Sequence, residues 1–138
     1  MSGPIDRRVW AEVLRWLAFV DQDMRVVEIV MAESSPNYGP AAFHCQQAAE
    51  KMAKVLLVAR GSEVPKIHDI EELTALVGEV DAEAAQNLRE LASLSSWYTA
   101  VRYPSVEAEF PPTSEDVRLI MPRLKQLRQY IDTLAPTS

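Results

Sequence analysis

Apolar residues in this 138-residue chain recur at spacings of three and four almost from end to end, and no stretch alternates with a period of two. Three-and-four spacing lays side chains along one face of an α-helix, whereas a half-buried strand needs strict alternation. The pattern therefore predicts an all-α fold, an up-and-down helical bundle of about five helices. With 48% hydrophobic residues the chain can bury a sizeable core without disulfides or metal, so one domain over residues 1–138 is expected. No internal repeat, low-complexity stretch or linker interrupts it.

The first helix is expected from about Asp6 to Ala32. Val13, Leu17, Val20, Met24, Val27 and Met31 form one stripe, and Trp16, Phe19, Val26 and Val30 widen it. An arc that wide calls for cover on two sides, and a second copy of the chain is one candidate cover. "ESSPNYGP" then breaks the periodicity. A second helix begins around Pro40 and ends at Gly61, a candidate left-handed cap. Its small and apolar residues face one way. Gln46, Gln47, Glu50, Lys51 and Lys54 face the other and read as a solvated surface. A short third helix spans about Asp69 to Val80. Asp81 is placed to cap a fourth helix running to about Arg102, where Pro104 stops it. Thr113 and Asp116 resemble a capping box for a fifth helix reaching about Leu134, with Pro122 at a break or kink.

Charge and composition exclude several classes. A formal net charge of -6 argues against a general nucleic-acid clamp, which relies on many Lys and Arg contacts to phosphate. A local site for one nucleotide or a short RNA remains compatible. The single cysteine, Cys45, permits no intrachain disulfide, and the two histidines, His44 and His68, lack ligand spacing, so no metal and no cofactor are expected. The N-terminal stretch carries charge where a signal peptide has its apolar core, and no apolar run approaches a bilayer span. A cytoplasmic protein without membrane attachment is the expectation.

Few side chains carry chemistry. Arg102 falls at the C-terminal end of the fourth helix with Tyr98 one turn back and Tyr103 next to it. A cation there complements the helix dipole; beside aromatic rings it also makes a fork for a phosphate next to a base. His68 can serve as a general base or phosphate contact, with Asp69 as its carboxylate neighbour; alternatively Asp69 simply stabilises the start of the third helix. Lys51 and Lys54 can add positive charge to an anion site. His44 is read as half-buried and without a chemical role, and Cys45 as a core residue.

Taken together, "FHCQQAAEKMAKVLLVARG" (Phe43 to Gly61), "PKIHDIEEL" (Pro65 to Leu73) and "YTAVRYP" (Tyr98 to Pro104), behind a long first helix, resemble the HEPN family, the higher eukaryotes and prokaryotes nucleotide-binding domain. The resemblance implies a helical bundle, commonly a homodimer with its site near the subunit interface. It also implies a minimal nucleotidyltransferase as partner, often as a toxin–antitoxin pair. Many members are metal-independent ribonucleases whose motif is an arginine followed within a few residues by a histidine. Arg102 matches that arginine, but Tyr103 to Phe110 contain no histidine. The expected function is accordingly a non-catalytic nucleotide- or RNA-binding component, with Arg102, Tyr98, Tyr103, Lys51, Lys54, His68 and Asp69 as candidate ligand contacts. The alternative is a ribonuclease toxin in which Arg102 and His68 are catalytic, His68 acting as substitute base.

Overall fold

A computed structural model describes residues 5–36, 38–91, 93, 94, 97 and 112–137. Among these, the elements are five helices and no strand: α1 Arg7–Met31, α2 Tyr38–Ala59, α3 Ile70–Gly78, α4 Ala82–Arg89 and α5 Ser114–Asp132. Each boundary has a local chemical cause. Asp6, Asp69 and Asp81 cap α1, α3 and α4, accepting from the backbone N–H of Val9 at 2.9 Å, Glu71 at 3.0 Å and Ala84 at 3.1 Å. Thr113 and Asp116 close a reciprocal capping box on α5, with 3.2 Å and 2.9 Å bonds. α2 ends in a Schellman motif: Gly61 N–H donates to the Val58 carbonyl and Ser62 N–H to that of Leu57, with Gly61 at φ 75°.

α2 is the central helix. It packs against α1, α3, α4 and α5, and 14 of its 22 residues are buried. Ala41, Ala42, Ala48, Ala49 and Ala53 leave no accessible surface and let neighbouring helices approach closely. Met52, Leu56 and Leu57 fill the space around them, each contributing roughly 1.5–3 kcal/mol on burial. α1 contributes Val13, Leu17, Val20 and Val27 from the expected stripe. Met24 and Met31 pack against the rim of the core, and Phe19 stays on the surface.

Two expectations need correction. The fourth helix was expected to run without a break to about Arg102, but α4 ends at Arg89 and the chain is helical again at Leu94 and Trp97; the expected end at Arg102 lies outside the described residues. Beyond it Glu90, Leu91 and Leu94 donate to the carbonyls three residues back, at 3.3, 2.8 and 3.0 Å. This turn separates α4 from the helical Leu94, and Leu88, Leu91, Leu94 and Trp97, spaced by three in sequence, are all buried. The second correction concerns the polar face of α2, expected in solvent: Gln46, Glu50 and Lys54 are buried. A helix covered on nearly all sides cannot keep its whole polar face wet. Pro122 lies within α5, which continues through it to Asp132.

Long-range polar contacts fix the helices relative to each other. Asp81, buried, accepts from Tyr130 Oη at 2.9 Å and from an Arg60 terminal nitrogen at 3.2 Å, tying the ends of α2 and α5 to the cap of α4. Arg128 on α5 grips Asp21 on α1 at 2.8 and 3.2 Å. Ile5 N–H donates to the Leu134 carbonyl at 3.0 Å, joining the two ends of the described chain.

Candidate functional site

The polar groups that the core admits are concentrated on one seam. Among the described residues the buried polar side chains are Asp23, Gln46, Glu50, Lys54 and Asp81, and all but Asp81 lie where α2 meets α1 and the loop before α3. Two sets with the same composition occur there. Asp23, on α1, accepts from His44 Nδ1 at 2.8 Å through one oxygen and from Lys51 Nζ at 2.5 Å through the other. Glu50, on α2, accepts from His68 Nδ1 at 3.0 Å and Lys54 Nζ at 3.2 Å through one oxygen, and from Gln46 Nε2 at 3.2 Å through the other. Gln47 Nε2 donates to Gln46 Oε1 at 2.7 Å and extends the second set outward. Each buried carboxylate thus serves one lysine and one histidine.

Sequence spacing explains why these residues meet. His44, Gln47, Lys51 and Lys54 fall along one stripe of α2 at intervals of three and four. His44, Gln47 and Lys51 are half-buried, so this stripe forms an edge of an otherwise enclosed helix. Glu50 lies one position inward, where its carboxylate reaches the loop that carries His68. Because an ionised carboxylate only accepts, both imidazoles carry a proton on Nδ1. In the neutral ring Nε2 is then the acceptor, and on protonation it becomes a second donor.

The expected site residues are therefore distributed as follows. Lys51, Lys54 and His68 come together on the seam. Asp69 caps α3 through its carboxylate, the structural role weighed for it from sequence. Tyr98, Arg102 and Tyr103 lie outside the described residues. His44, read as having no role, belongs to the seam. Asp23, Gln46 and Glu50 were missed as site residues although each left a signal. Asp23 is a charge inside the apolar stripe of α1, between Val20 and Val27. Gln46 and Glu50 are embedded among Cys45, Ala48, Ala49 and Met52, all fully buried. Cys45 is core, as expected, and burial pushes its thiol up to about 12, which leaves it protonated and inert near neutrality.

No group of three or more His, Cys, Asp or Glu among the described residues is arranged to hold a metal ion. No helix among them is long and apolar enough to cross a membrane. A family model described as HEPN domain matches residues 15–134, a span that takes in the whole seam and all of α2 to α5. The chain belongs to the HEPN family. No curated protein and no solved structure shows significant similarity to it. The all-helical architecture agrees with a HEPN helical bundle, and the motif segments around α2 and before α3 that carried the resemblance supply every seam residue named above except Asp23.

Proposed function

We propose that this HEPN chain is a non-catalytic component that binds a nucleotide or a short RNA through its phosphate, as one domain over residues 1–138. The observation that carries the reading is the seam: an enclosed central helix exposes one edge, and that edge bears His44, Gln47 and Lys51, with Lys54 and His68 beside it, the histidines and lysines held by Asp23 and Glu50. Arg102 adds the guanidinium that pairs with phosphate, and Tyr98 and Tyr103 add aromatic surface for a base. The stretch after Arg102 lacks the histidine that the ribonuclease motif requires. Following the family resemblance, the partners in this reading are a second copy of the chain and a minimal nucleotidyltransferase of a toxin–antitoxin pair, in the cytoplasm. Phe19 and Ile29 on α1, each more than half exposed, suit the contact between copies. Isothermal titration with ATP, GTP and a short RNA tests the binding function. Binding by the wild type and its loss in Arg102→Ala is the expected outcome; equal binding by both removes Arg102 from the site.

A second reading, a ribonuclease toxin, is favoured by one contact. Glu50 holds His68 at Nδ1, the arrangement by which a carboxylate orients an imidazole for general-base work at Nε2, and the His68 side chain is 58% exposed. In this reading Arg102 stabilises the charge that develops on phosphorus. RNA cleavage that persists in EDTA and vanishes in both Arg102→Ala and His68→Ala establishes it; absence of cleavage leaves the binding function.

A further inference from the structure

The formal net charge of -6 is concentrated in one part of the fold. Residues 69–90, which form α3, α4 and their connection, hold seven Asp and Glu side chains against one arginine; the other 116 residues hold 13 acidic and 13 basic side chains. Three of the seven have partners in the fold. Asp69 caps α3, Asp81 caps α4 and accepts from Tyr130 and Arg60, and Glu90 pairs with Arg123 at 2.6 Å. Glu71, Glu72, Glu79 and Glu83 are exposed and form no ion pair among the described residues. Helix-end electrostatics account for Glu71, Glu72 and Glu83, which lie in the first turns of α3 and α4, where a carboxylate is favoured. Glu79 has no such explanation: it is the C-cap of α3, the negative end of that helix.

Glu71 and Glu79 belong to the lining of a groove of about 500 Å³ between α3 and α4, together with Thr74, Ala75, Gly78 and Arg89. Eight positions of helix set the two glutamates about 12 Å apart along the axis. Between them Ala75 and Gly78 carry almost no side chain, and Thr74 Oγ1 is engaged by the Ile70 carbonyl at 2.7 Å, so the middle of the groove is small and apolar. Arg89 lines it from α4 and donates one of its five N–H groups to Gln86 at 3.0 Å.

We propose that this groove docks a basic, extended segment of a partner protein, two of whose arginine or lysine side chains pair with Glu71 and Glu79. An extended chain rises ~3.3 Å per residue, so cations four positions apart lie on one side of it and match a span of about 12 Å. The backbone between them passes over Ala75 and Gly78, where little obstructs it, and its carbonyls accept from the remaining N–H groups of Arg89. A free polyamine has the cations but no acceptor, and it meets Arg89 as a like charge. Nucleic acid is repelled by a face of this sign. The inference goes beyond the phosphate-binding reading and does not depend on it.

The test is fluorescence anisotropy of the full chain with a labelled, end-capped alanine heptapeptide that carries arginine at its second and sixth positions. The peptide should bind at low ionic strength, where its counterpart with glutamate at the same positions does not. Binding should weaken as salt rises past ~0.1 M, where screening reaches in to ~10 Å. The Glu71→Gln, Glu79→Gln double variant should lose about tenfold in affinity, within what two solvent-exposed ion pairs supply. Addition of the peptide should move the backbone amide resonances of Ala75 and Gly78 in the nitrogen–proton spectrum. Because Glu79 stands at the negative end of α3, Glu79→Gln should match or exceed the wild type in urea denaturation. A clear loss of stability there shows that the carboxylate serves the fold and overturns the argument. The inference is equally overturned by absence of binding, by equal binding of the glutamate peptide or by unchanged affinity in the double variant. Displacement by spermidine at the affinity of the arginine peptide also overturns it, since the occupant is then a free polycation.

Discussion

Replacing Glu50 with leucine should destabilise the protein by about 3 kcal/mol, at the lower end of what removing one partner of a buried ion pair costs. The magnitude follows from what stays behind. Glu50 accepts from Lys54, Gln46 and His68, and the Lys54 side chain is only 11% exposed. Without the carboxylate its ammonium is left in a low-dielectric setting with no opposite charge from Glu50. The flexible stem allows partial escape to solvent, which is why the lower end applies. His68, 58% exposed, recovers water and adds little. The double variant Glu50→Leu, Lys54→Met removes both charges and fills the same space with apolar atoms, and its stability should return to within about 1 kcal/mol of wild type or exceed it. Urea denaturation of wild type, both single variants and the double variant gives the coupling energy directly. In thermal unfolding the Glu50→Leu loss corresponds to roughly 10 °C at this chain length. A cost below about 1 kcal/mol for Glu50→Leu, or a double variant no more stable than Glu50→Leu, refutes the claim that Lys54 depends on Glu50.

Other consequences are more local. Tyr130 donates to buried Asp81, and burial together with that carboxylate pushes its phenol up to about 12 from 10.0. Because the folded value lies above the unfolded one, the contribution is complete below pH 10 and is lost as pH rises toward 12. Denaturation midpoints should fall over that window in the wild type and stay flatter in Tyr130→Phe, which should also lose about 1–2 kcal/mol at pH 7. Gly61→Ala should cost roughly 1 kcal/mol by denaturation, with no added steric clash, since a Cβ there meets nothing within 4 Å and the loss comes from the left-handed backbone at φ 75°. A variant of unchanged stability would show that the Schellman turn relaxes without cost.

Legibility from sequence follows the range of the interaction involved. The Asp6, Asp69, Asp81 and Thr113–Asp116 caps and the Gly61 stop could all be placed from residue type and a spacing of three or less, because a cap satisfies a backbone group within one turn. The break in the expected fourth helix after Arg89 was not legible. A spacing of three fits both an α-helix and the tighter turn that Glu90 and Leu91 adopt, and periodicity over so few residues does not separate them. The polar seam was misread for another reason. The spacing of Gln46, Glu50 and Lys54 marks a shared face, and a shared polar face is ordinarily a wet one.

By itself, the sequence determined the helical class, the helix caps, the apolar stripe of α1 and the family, all of which depend on residues close together in the chain or on ordered motifs. Only the tertiary structure decided what covers each face. It brought Asp23 to His44 across 21 positions, His68 to Glu50 across 18 and Tyr130 to Asp81 across 49. Periodicity fixes the direction in which a side chain leaves its own helix. Whether it meets water, a carboxylate or another helix depends on how the helices pack, and that packing turned an apparently solvated face into a buried set of paired charges.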